Sequence, residues 1–331
     1  MKALVSLIAV LLLVLIAYAG VAAANLRFLF GVIIPYAAFL MFVGGMIVRV
    51  LKWGSSPVPF RIPTTCGQQK SLPWIKHSKL ESPSGLLGVI GRMALEVLVF
   101  RSLFRNLKTQ LGEDRQLAYG EAKWLWLAGM AFHWSFLIIL FRHMRFFIEN
   151  VPAAVKIAEG LDSFLQIGAP LLYMTDVVLI LAVTYLIIRR IGIPQMRYIS
   201  LISDYFPIFL ILGIAVSGAL MRYFYKTDIV SVKVLAMSII SLKPAAPAES
   251  IGVIFYIHLF LLSTLFAYFP MSKLVHLGGV FMSPTRNLAN NSRMKRHVNP
   301  WNYPVHVHTY EEYENDFRNK MKEAGIPVEK E

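Results

Sequence analysis

The sequence predicts an all-α fold, a polytopic membrane helix bundle of about six transmembrane helices. Of its 331 residues, 56% are hydrophobic and only 16% are charged, which is too apolar for a soluble domain of this length. A helix needs about 20 apolar residues to cross the hydrocarbon core of a bilayer. Six stretches have this character, at about 3–24, 28–50, 124–148, 171–188, 206–221 and 251–271.

The first stretch invites comparison with a secretory signal peptide, because Lys2 precedes it and a run of alanines ends it. Its apolar run is longer than the ~7–15 residues of a signal peptide, and a second stretch follows at once. We therefore interpret it as a retained helix. Residues 1–51 are predicted to form two N-terminal transmembrane helices.

The net charge of +14 favours a membrane topology signal over a nucleic-acid interface, because the basic residues lie between and after the apolar stretches. The loop 189–200 carries three arginines, whereas the loop 149–170 carries three carboxylates and one lysine. Basic loops stay inside, so the first is predicted to be cytoplasmic and the second external. Alternation then places both termini on the cytoplasmic side of a bacterial inner membrane, although the loop 222–249, assigned outside, carries four basic residues.

The remaining boundaries follow from composition. Residues 52–84 are rich in Pro, Ser and Lys and are predicted to form a cytoplasmic loop. From residue 85 to about 110 the pattern becomes amphipathic, which predicts a helix on the membrane surface. Residues 85–282 form the core domain, with this helix and four transmembrane helices, and 283–331 form a cytoplasmic tail suited to docking.

Four histidines lie in or beside two of the apolar stretches. His133 and His143 belong to the third, and His258 and His276 bracket the sixth. Ionisable groups inside a membrane are costly, so each is a candidate functional residue. At about 100° per helical residue, a separation of 18 returns to the same face and one of 10 lands about 80° away. Both members of each pair are therefore predicted to face one neighbouring helix.

The third and sixth stretches run antiparallel, which pairs His133 with His276 near the cytoplasm and His143 with His258 near the outer face. The pairs are offset by about 15 Å on one helix and about 27 Å on the other. Two imidazoles that close both axial positions of a haem iron favour electron transfer, so two haem b groups are predicted. The alternatives are ordinary hydrogen-bonded histidines or a proton relay in a proton-coupled transporter, though the inverted repeats and broken helices common in transporters are not visible.

The spacings of ten and eighteen resemble those of the cytochrome b gamma subunits of respiratory nitrate reductases, over roughly 85–282. This resemblance implies a di-haem four-helix core with the four histidines as iron ligands. The two extra N-terminal stretches and the segment 91–105 resemble the DsrM family over the whole chain. DsrM proteins are the membrane cytochrome b subunits of the DsrMKJOP complexes.

The second resemblance implies a function in dissimilatory sulfur metabolism, as the quinol-oxidising subunit of a larger oxidoreductase. Menaquinol would be oxidised near the outer face, and electrons would pass through the haems to a heterodisulfide-reductase-like iron–sulfur subunit on the cytoplasmic side. Further implied partners are a second membrane subunit and a periplasmic multihaem cytochrome c. The single cysteine, Cys66, cannot ligate a cluster that needs about four thiolates, which fits this division.

Quinol oxidation needs an apolar slot and a proton acceptor, and the outer ends of the predicted helices supply both. The quinol-site candidates are Arg145, Glu149, Tyr173 and Asp176, with either carboxylate as the proton acceptor. The candidates for binding haem propionates are Arg142, Lys273 and Arg189. No metal other than haem iron is predicted, and Cys66, His306 and His308 are assigned no role.

Overall fold

The computed structural model describes residues 1–57, 67–111, 117–295 and 308–330, so Cys66 and His306 lie outside the described residues. The described chain is mostly helical and contains one two-stranded sheet. The predicted all-α bundle is therefore confirmed. The chain divides into two compact units. The first comprises Met1–Pro59 and Gly91–Asn287, and the second comprises Phe60–Ile90 and Leu288–Glu331.

The first unit begins with two long apolar helices. Helix α1 (Lys2–Tyr18) continues into a π-helical turn, Ala19–Ala23, and a second such turn, Leu29–Ile33, leads into α2 (Ile34–Gly54). Val10 of α1 lies in the hydrophobic core of the bundle. The first apolar stretch is thus an integral part of the packed structure.

The predicted surface helix is shorter than its amphipathic pattern indicates. Helix α3 covers Leu86–Val99 and ends there because Phe100 has a φ of 50°, in the left-handed region that an α-helix cannot contain. A single turn, α4 (Arg101–Phe104), follows. Strand β1 (Leu107–Leu111) then pairs antiparallel with β2 (Leu117–Glu121). The prediction of a helix to about residue 110 is therefore wrong.

Four helices form the core of this unit, α5 (Lys123–His143), α7 (Met174–Gly192), α9 (Ile202–Tyr223) and α11 (Val253–Tyr268). They correspond to the last four predicted apolar stretches. Three short helices occur in the connections between them, α6 (Ala153–Asp162), α8 (Pro194–Ile199) and α10 (Ile229–Ile240).

Five helical segments in the described residues are long and apolar enough to cross a membrane, namely Lys2–Ala23, Leu29–Gly54, Lys123–Phe146, Ile202–Tyr223 and Val253–Met271. The fourth predicted span, 171–188, corresponds to α7, which is not among these five. This helix carries Asp176 in its first turn and Arg189 and Arg190 in its last, but it packs between α5 and α9. The chain is a multi-pass membrane protein.

Helix packing leaves a gap at one position of the bundle. Helix α5 packs on α7, α7 on α9 and α9 on α11, while α1 packs on α9 and α11 and α2 packs on α11. Leu179, Leu210 and Leu261 meet in the buried core. Within the described residues, α5 and α11 have no extensive contact with each other. Helix α5 carries His133 and His143, and α11 carries His258.

The end of α11 departs from the predicted continuous helix. A 3-10 turn, Phe269–Met271, follows α11, and Ser272 is extended with φ −108° and ψ 178°. A second 3-10 turn, Lys273–Val275, leads into the short α12 (His276–Gly279). His258 and His276 therefore lie on different helices, so the continuous helix assumed for this pair is wrong, while the prediction that both face one neighbouring helix stays a prediction.

The second unit contains two helices in its described residues, α13 (Ser292–Lys295) and α14 (Tyr310–Glu323). Thr309 and Glu312 form a capping box at the start of α14. The buried Glu314 carboxylate accepts hydrogen bonds from the backbone N–H groups of Glu329 and Lys330, at 2.7 and 3.0 Å. The Glu329 N–H is the main cause that lowers the pKa of Glu314. The docking role of the tail stays a prediction.

Two adjacent glycines of α2 provide a test of helix packing. A Cβ at Gly45 would lie 2.6 Å from Cβ and 2.8 Å from Cγ of Pro270, whereas one at Gly44 would meet nothing within 4 Å. We expect Gly45→Ala to destabilise the protein by about 1–3 kcal/mol, because the proline ring cannot rotate away. Gly44→Ala is the matched control and should not lower stability. Thermal unfolding in detergent measures both, and equal stability of the two variants would contradict the close packing at Pro270.

Candidate functional site: four histidines in the interhelical gap

The four histidines form two pairs, with α5 on one side and α11 and the short α12 on the other. The ring centroids of His133 and His276 are 6.1 Å apart, and their planes are inclined by 81°. His143 and His258, towards the other end of the bundle, are close enough for their charges to interact. These are the pairs predicted from antiparallel helices, and their role stays a prediction.

Three of the histidines are oriented by backbone carbonyl groups of nearby residues. In each case Nδ1 lies within hydrogen-bond distance of a carbonyl oxygen, His133 with Gly129 at 2.8 Å, His143 with Ile139 at 2.7 Å and His276 with Lys273 at 2.9 Å. A carbonyl oxygen only accepts hydrogen bonds, so each Nδ1 carries the proton. Each Nε2 therefore keeps its lone pair.

His258 is oriented differently, by a side chain of another helix. Its Nδ1 lies 2.9 Å from Oγ of Ser217 in α9. The Ser217 hydroxyl donates to the Ile214 carbonyl at 3.0 Å, and His258 also interacts with this carbonyl, so we assign the Nδ1 proton as the one donated to Oγ. All four histidines thus have the same protonation pattern, in which Nδ1–H donates a hydrogen bond and Nε2 keeps its lone pair.

This arrangement fits a metal held by two opposed imidazoles. Metal-bound histidines usually donate their second ring nitrogen to a carbonyl, carboxylate or water. With metal–nitrogen bonds of about 2 Å, as for zinc, two rings on one metal have centroids roughly 6 Å apart. The His133–His276 separation matches this value. Among the described residues, no group of three or more His, Cys, Asp or Glu side chains is placed to hold a metal ion.

Aromatic rings surround the first pair. Phe100 and Phe132 contact His133 edge to face, with centroid distances of 4.8 and 4.7 Å. Phe100 is the residue with a positive φ that ends α3. A backbone conformation that is costly for a bulky residue therefore brings an aromatic ring against a candidate iron ligand.

A buried ionic network lies beside His143. The guanidinium of Arg142 is 3.0 Å from Asp162 and 2.6 Å from Asp176, and all three side chains are largely buried. The ring of Tyr173 is sandwiched between the guanidinium groups of Arg142 and Arg222, at 3.7 and 3.9 Å. Arg142, a propionate candidate, thus shares one network with the quinol candidates Tyr173 and Asp176. Its charge is already matched by two carboxylates.

The other two quinol candidates line an open cleft of about 480 Å³ near the same end of α5. The lining residues are Arg145, Phe146, Glu149, Val151, Ile229, Val230, Lys233, Val234 and Met237. Lys233 donates a hydrogen bond to the Glu149 carbonyl at 3.0 Å, and Arg145 pairs with Glu159 at 2.9 Å. The sequence reasoning missed Lys233 and the whole α10 wall of this cleft.

Helix α10 carries a recognisable start signal in the sequence, Asp228. Its carboxylate accepts hydrogen bonds from the backbone N–H and the hydroxyl of Ser231, at 3.1 and 2.6 Å, and from the Ser250 hydroxyl at 2.7 Å. The Ser231 hydroxyl is the main cause that lowers the pKa of Asp228 to about 2. A lowered folded pKa means that this cap is complete above the ordinary value of 3.8 and is lost only as the pH falls through about 2.

The remaining propionate candidates, Lys273 and Arg189, lie at the His276 end and differ in their ion pairs. Lys273 pairs with Asp204 at 2.6 Å, and Arg190 lies 3.8 Å from the same carboxylate group. In the described part of the chain, Arg189 has no ion pair. Lys273 therefore makes two contacts at this end, because its side chain pairs with Asp204 and its backbone carbonyl orients His276.

Comparison with known proteins bears directly on these histidines. A family profile described as "Nitrate reductase gamma subunit" matches residues 86–297, a region that contains all four. The chain belongs to this family. The family resemblance predicted from the histidine spacing is confirmed.

Two relatives carry the same name, "Hdr-like menaquinol oxidoreductase cytochrome b-like subunit". The protein of Archaeoglobus fulgidus is 46% identical over 279 residues, which cover 82% of this chain and 83% of the relative. The protein of Archaeoglobus profundus is 40% identical over 274 residues, 81% of each chain. These similarities extend beyond the matched family region, and the narrower resemblance to DsrM stays a prediction.

Two neighbouring arginines allow a test of the buried network. Arg142→Leu leaves Asp162 and Asp176 without their cation in a largely buried site, so we expect a loss of about 3–5 kcal/mol in stability. Arg145→Leu removes a half-exposed pair with Glu159 and should cost about 0–1 kcal/mol. Thermal unfolding of both variants in detergent measures the difference. Equal losses would mean that the network adds nothing beyond an exposed ion pair.

Proposed function

We propose that this protein is a di-haem cytochrome b subunit that oxidises menaquinol as part of a membrane oxidoreductase. Its membership in the nitrate reductase gamma family and its two cytochrome b-like relatives support its assignment as a membrane quinol oxidoreductase subunit. The finer assignment to two haems and a particular cleft rests on the geometry of the site. It is a component of a larger enzyme, not a complete enzyme.

The proposed haem assignment rests on one observation, the common hydrogen-bonding pattern of the four imidazoles. Every Nδ1 is held by a carbonyl or a hydroxyl, and every Nε2 is available, in two pairs across a gap between helices. A proton relay would instead need hydrogen bonds that link one imidazole to the next. The Nδ1 atoms here end on the protein backbone or on Ser217, so the transporter alternative is less well supported.

In this proposal His133 and His276 hold one haem, and His143 and His258 hold the other. When bound, haem held by two imidazoles would supply one-electron transfer. His133 and His143 are ten positions apart, which separates the two sites by about 15 Å along α5. The protein's own contribution is to fix the rings and to exclude water with the surrounding aromatic side chains.

The cleft beside α10 is the proposed menaquinol site. Most of its lining is apolar, which suits a naphthoquinol ring, and Arg145, Glu149 and Lys233 supply the few polar groups that orient it. Oxidation of one menaquinol to menaquinone releases two electrons and two protons. Glu149 is the proposed proton acceptor, and the external end of the bundle receives the protons.

The buried network has a supporting role in this proposal. Tyr173 and Asp176 interact with arginines inside the bundle and do not line the cleft, so we assign them to positioning α7 beside α5. The charge of Arg142 is neutralised in this network by Asp162 and Asp176. Of the propionate candidates, Arg189 has the most available charge, and Lys273 would have to share its cation with Asp204.

The proposed partners follow from the division of redox groups. The described residues offer no iron–sulfur ligands, so a heterodisulfide-reductase-like iron–sulfur subunit at the cytoplasmic face is the proposed electron acceptor. The "Hdr-like" names of the relatives support this partner. A DsrMKJOP-type complex in dissimilatory sulfur metabolism, with a second membrane subunit and a periplasmic multihaem cytochrome c, is the corresponding proposal. Both termini would lie on the cytoplasmic side of the cell membrane.

Absorption spectroscopy tests the haem assignment. Purified wild-type protein should contain two haem b per chain by its reduced-minus-oxidised spectrum and pyridine haemochrome. His143→Ala and His276→Ala should each lose about one haem, because each removes one ligand of a different pair. His308→Ala is the control and should retain both haems. A wild-type protein without haem would refute electron transfer and favour the histidine relay.

Kinetics of quinol oxidation test the cleft. Glu149→Gln should slow the reduction of the haems by menadiol on the order of 10²-fold, because the proton acceptor is lost, while haem content stays unchanged. Glu249→Gln is the control, since this carboxylate does not line the cleft. Stopped-flow absorbance under anaerobic conditions measures both rates. Wild-type rates in Glu149→Gln would move the quinol site elsewhere.

A further inference from the structure

The four candidate ligands differ in what orients them. His133 and His143 are held by carbonyls of α5 itself, and His276 by the carbonyl three residues before it. Only His258 is held by a side chain, from Ser217, which is 41 residues away in the sequence. A side chain can be replaced where a backbone carbonyl cannot, so this contact is both specific to the sequence and open to test.

The surroundings of Ser217 are built for this contact. Ser217 is only 6% exposed, and its hydroxyl proton is used by the Ile214 carbonyl, which leaves its oxygen lone pairs for His258. The next residue is Gly218, where an added Cβ would lie 3.3 Å from Cε1 of His258. The Ser217 hydroxyl and the space left by the absent side chain of Gly218 therefore together accommodate the imidazole ring of His258.

We infer that Ser217 and Gly218 of α9 are positioning residues that fix the orientation and electron donation of His258 as a haem ligand. This inference rests on the proposed function, since it requires haem at the His143–His258 pair. A hydrogen bond from Nδ1 fixes the ring and makes Nε2 a stronger donor to the metal. Because this bond comes from α9, the packing of α9 on α11 is coupled to the properties of one haem only.

The expected signature is a change in one haem and not in the other. In Ser217→Ala the Nδ1–H loses its hydroxyl acceptor, so the iron receives less electron density and the midpoint potential of that haem rises. The ring also becomes free to turn, which shifts the low-spin ferric EPR signal of the same haem. The second haem, between His133 and His276, should keep its potential and its EPR signal.

Matched variants separate the hydrogen bond from packing. Ser263→Ala makes the same change at a buried serine of α11 whose hydroxyl bonds only to the Leu259 carbonyl, and both haems should remain as in the wild type. Ser217→Thr keeps the hydroxyl and should keep both signals. Gly218→Ala should shift the same haem as Ser217→Ala, because its Cβ presses on the ring of His258.

The experiment is a redox titration with EPR on the full chain in detergent, with haem content measured in every sample. Two haems per chain in Ser217→Ala, with one shifted and one unchanged, would support the inference. Unchanged signals, or equal shifts in Ser217→Ala and Ser217→Thr, would overturn it while leaving the haem assignment intact. A wild-type protein without haem would overturn the proposed function itself.

Discussion

The structure depends on keeping imidazole rings available inside a bilayer. An unpaired polar nitrogen in an apolar interior is costly, and each ring has two nitrogens to satisfy. The protein meets this constraint by committing every Nδ1 to an internal acceptor and directing the rings into a space between α5 and α11. Each Nε2 then keeps its lone pair. Helix packing around α7, α9 and the N-terminal helices keeps that space open, because it joins α5 and α11 through their neighbours and not to each other.

The ionic groups are arranged around this space without filling it. At the end of the bundle near His143, Arg142 is buried with Asp162 and Asp176, so charges that would be costly alone neutralise each other in place. This network ties α5 to α6 and α7. The charged groups that remain more accessible, Arg145 and Lys233, lie in the cleft beside α10. The closed network is thus separate from the open cleft, which is the proposed menaquinol site.

The two ends of the bundle also differ in how they hold their ligands. His276 depends on a local turn that Pro270 and Ser272 create after α11, and on a lysine whose side chain is anchored to Asp204. His258 depends on α9 through Ser217 and Gly218. One site is therefore governed by local backbone conformation and the other by contact between helices. The two histidine pairs can therefore respond differently to the same perturbation of the bundle.

The sequence by itself determined the membrane bundle, the four histidines and the family, because apolar length and residue spacing are local properties that survive without coordinates. It also predicted the histidine pairs, although partly on a helix continuity that Ser272 interrupts. Tertiary structure alone decided the early end of α3 at Phe100, the Ser217–His258 contact, the burial of Arg142 with two carboxylates and the α10 wall of the cleft. These features join residues that are far apart in the chain or depend on a single backbone angle. Periodicity reports only which face of one helix a residue occupies, and it cannot say which side chain of another helix meets it there.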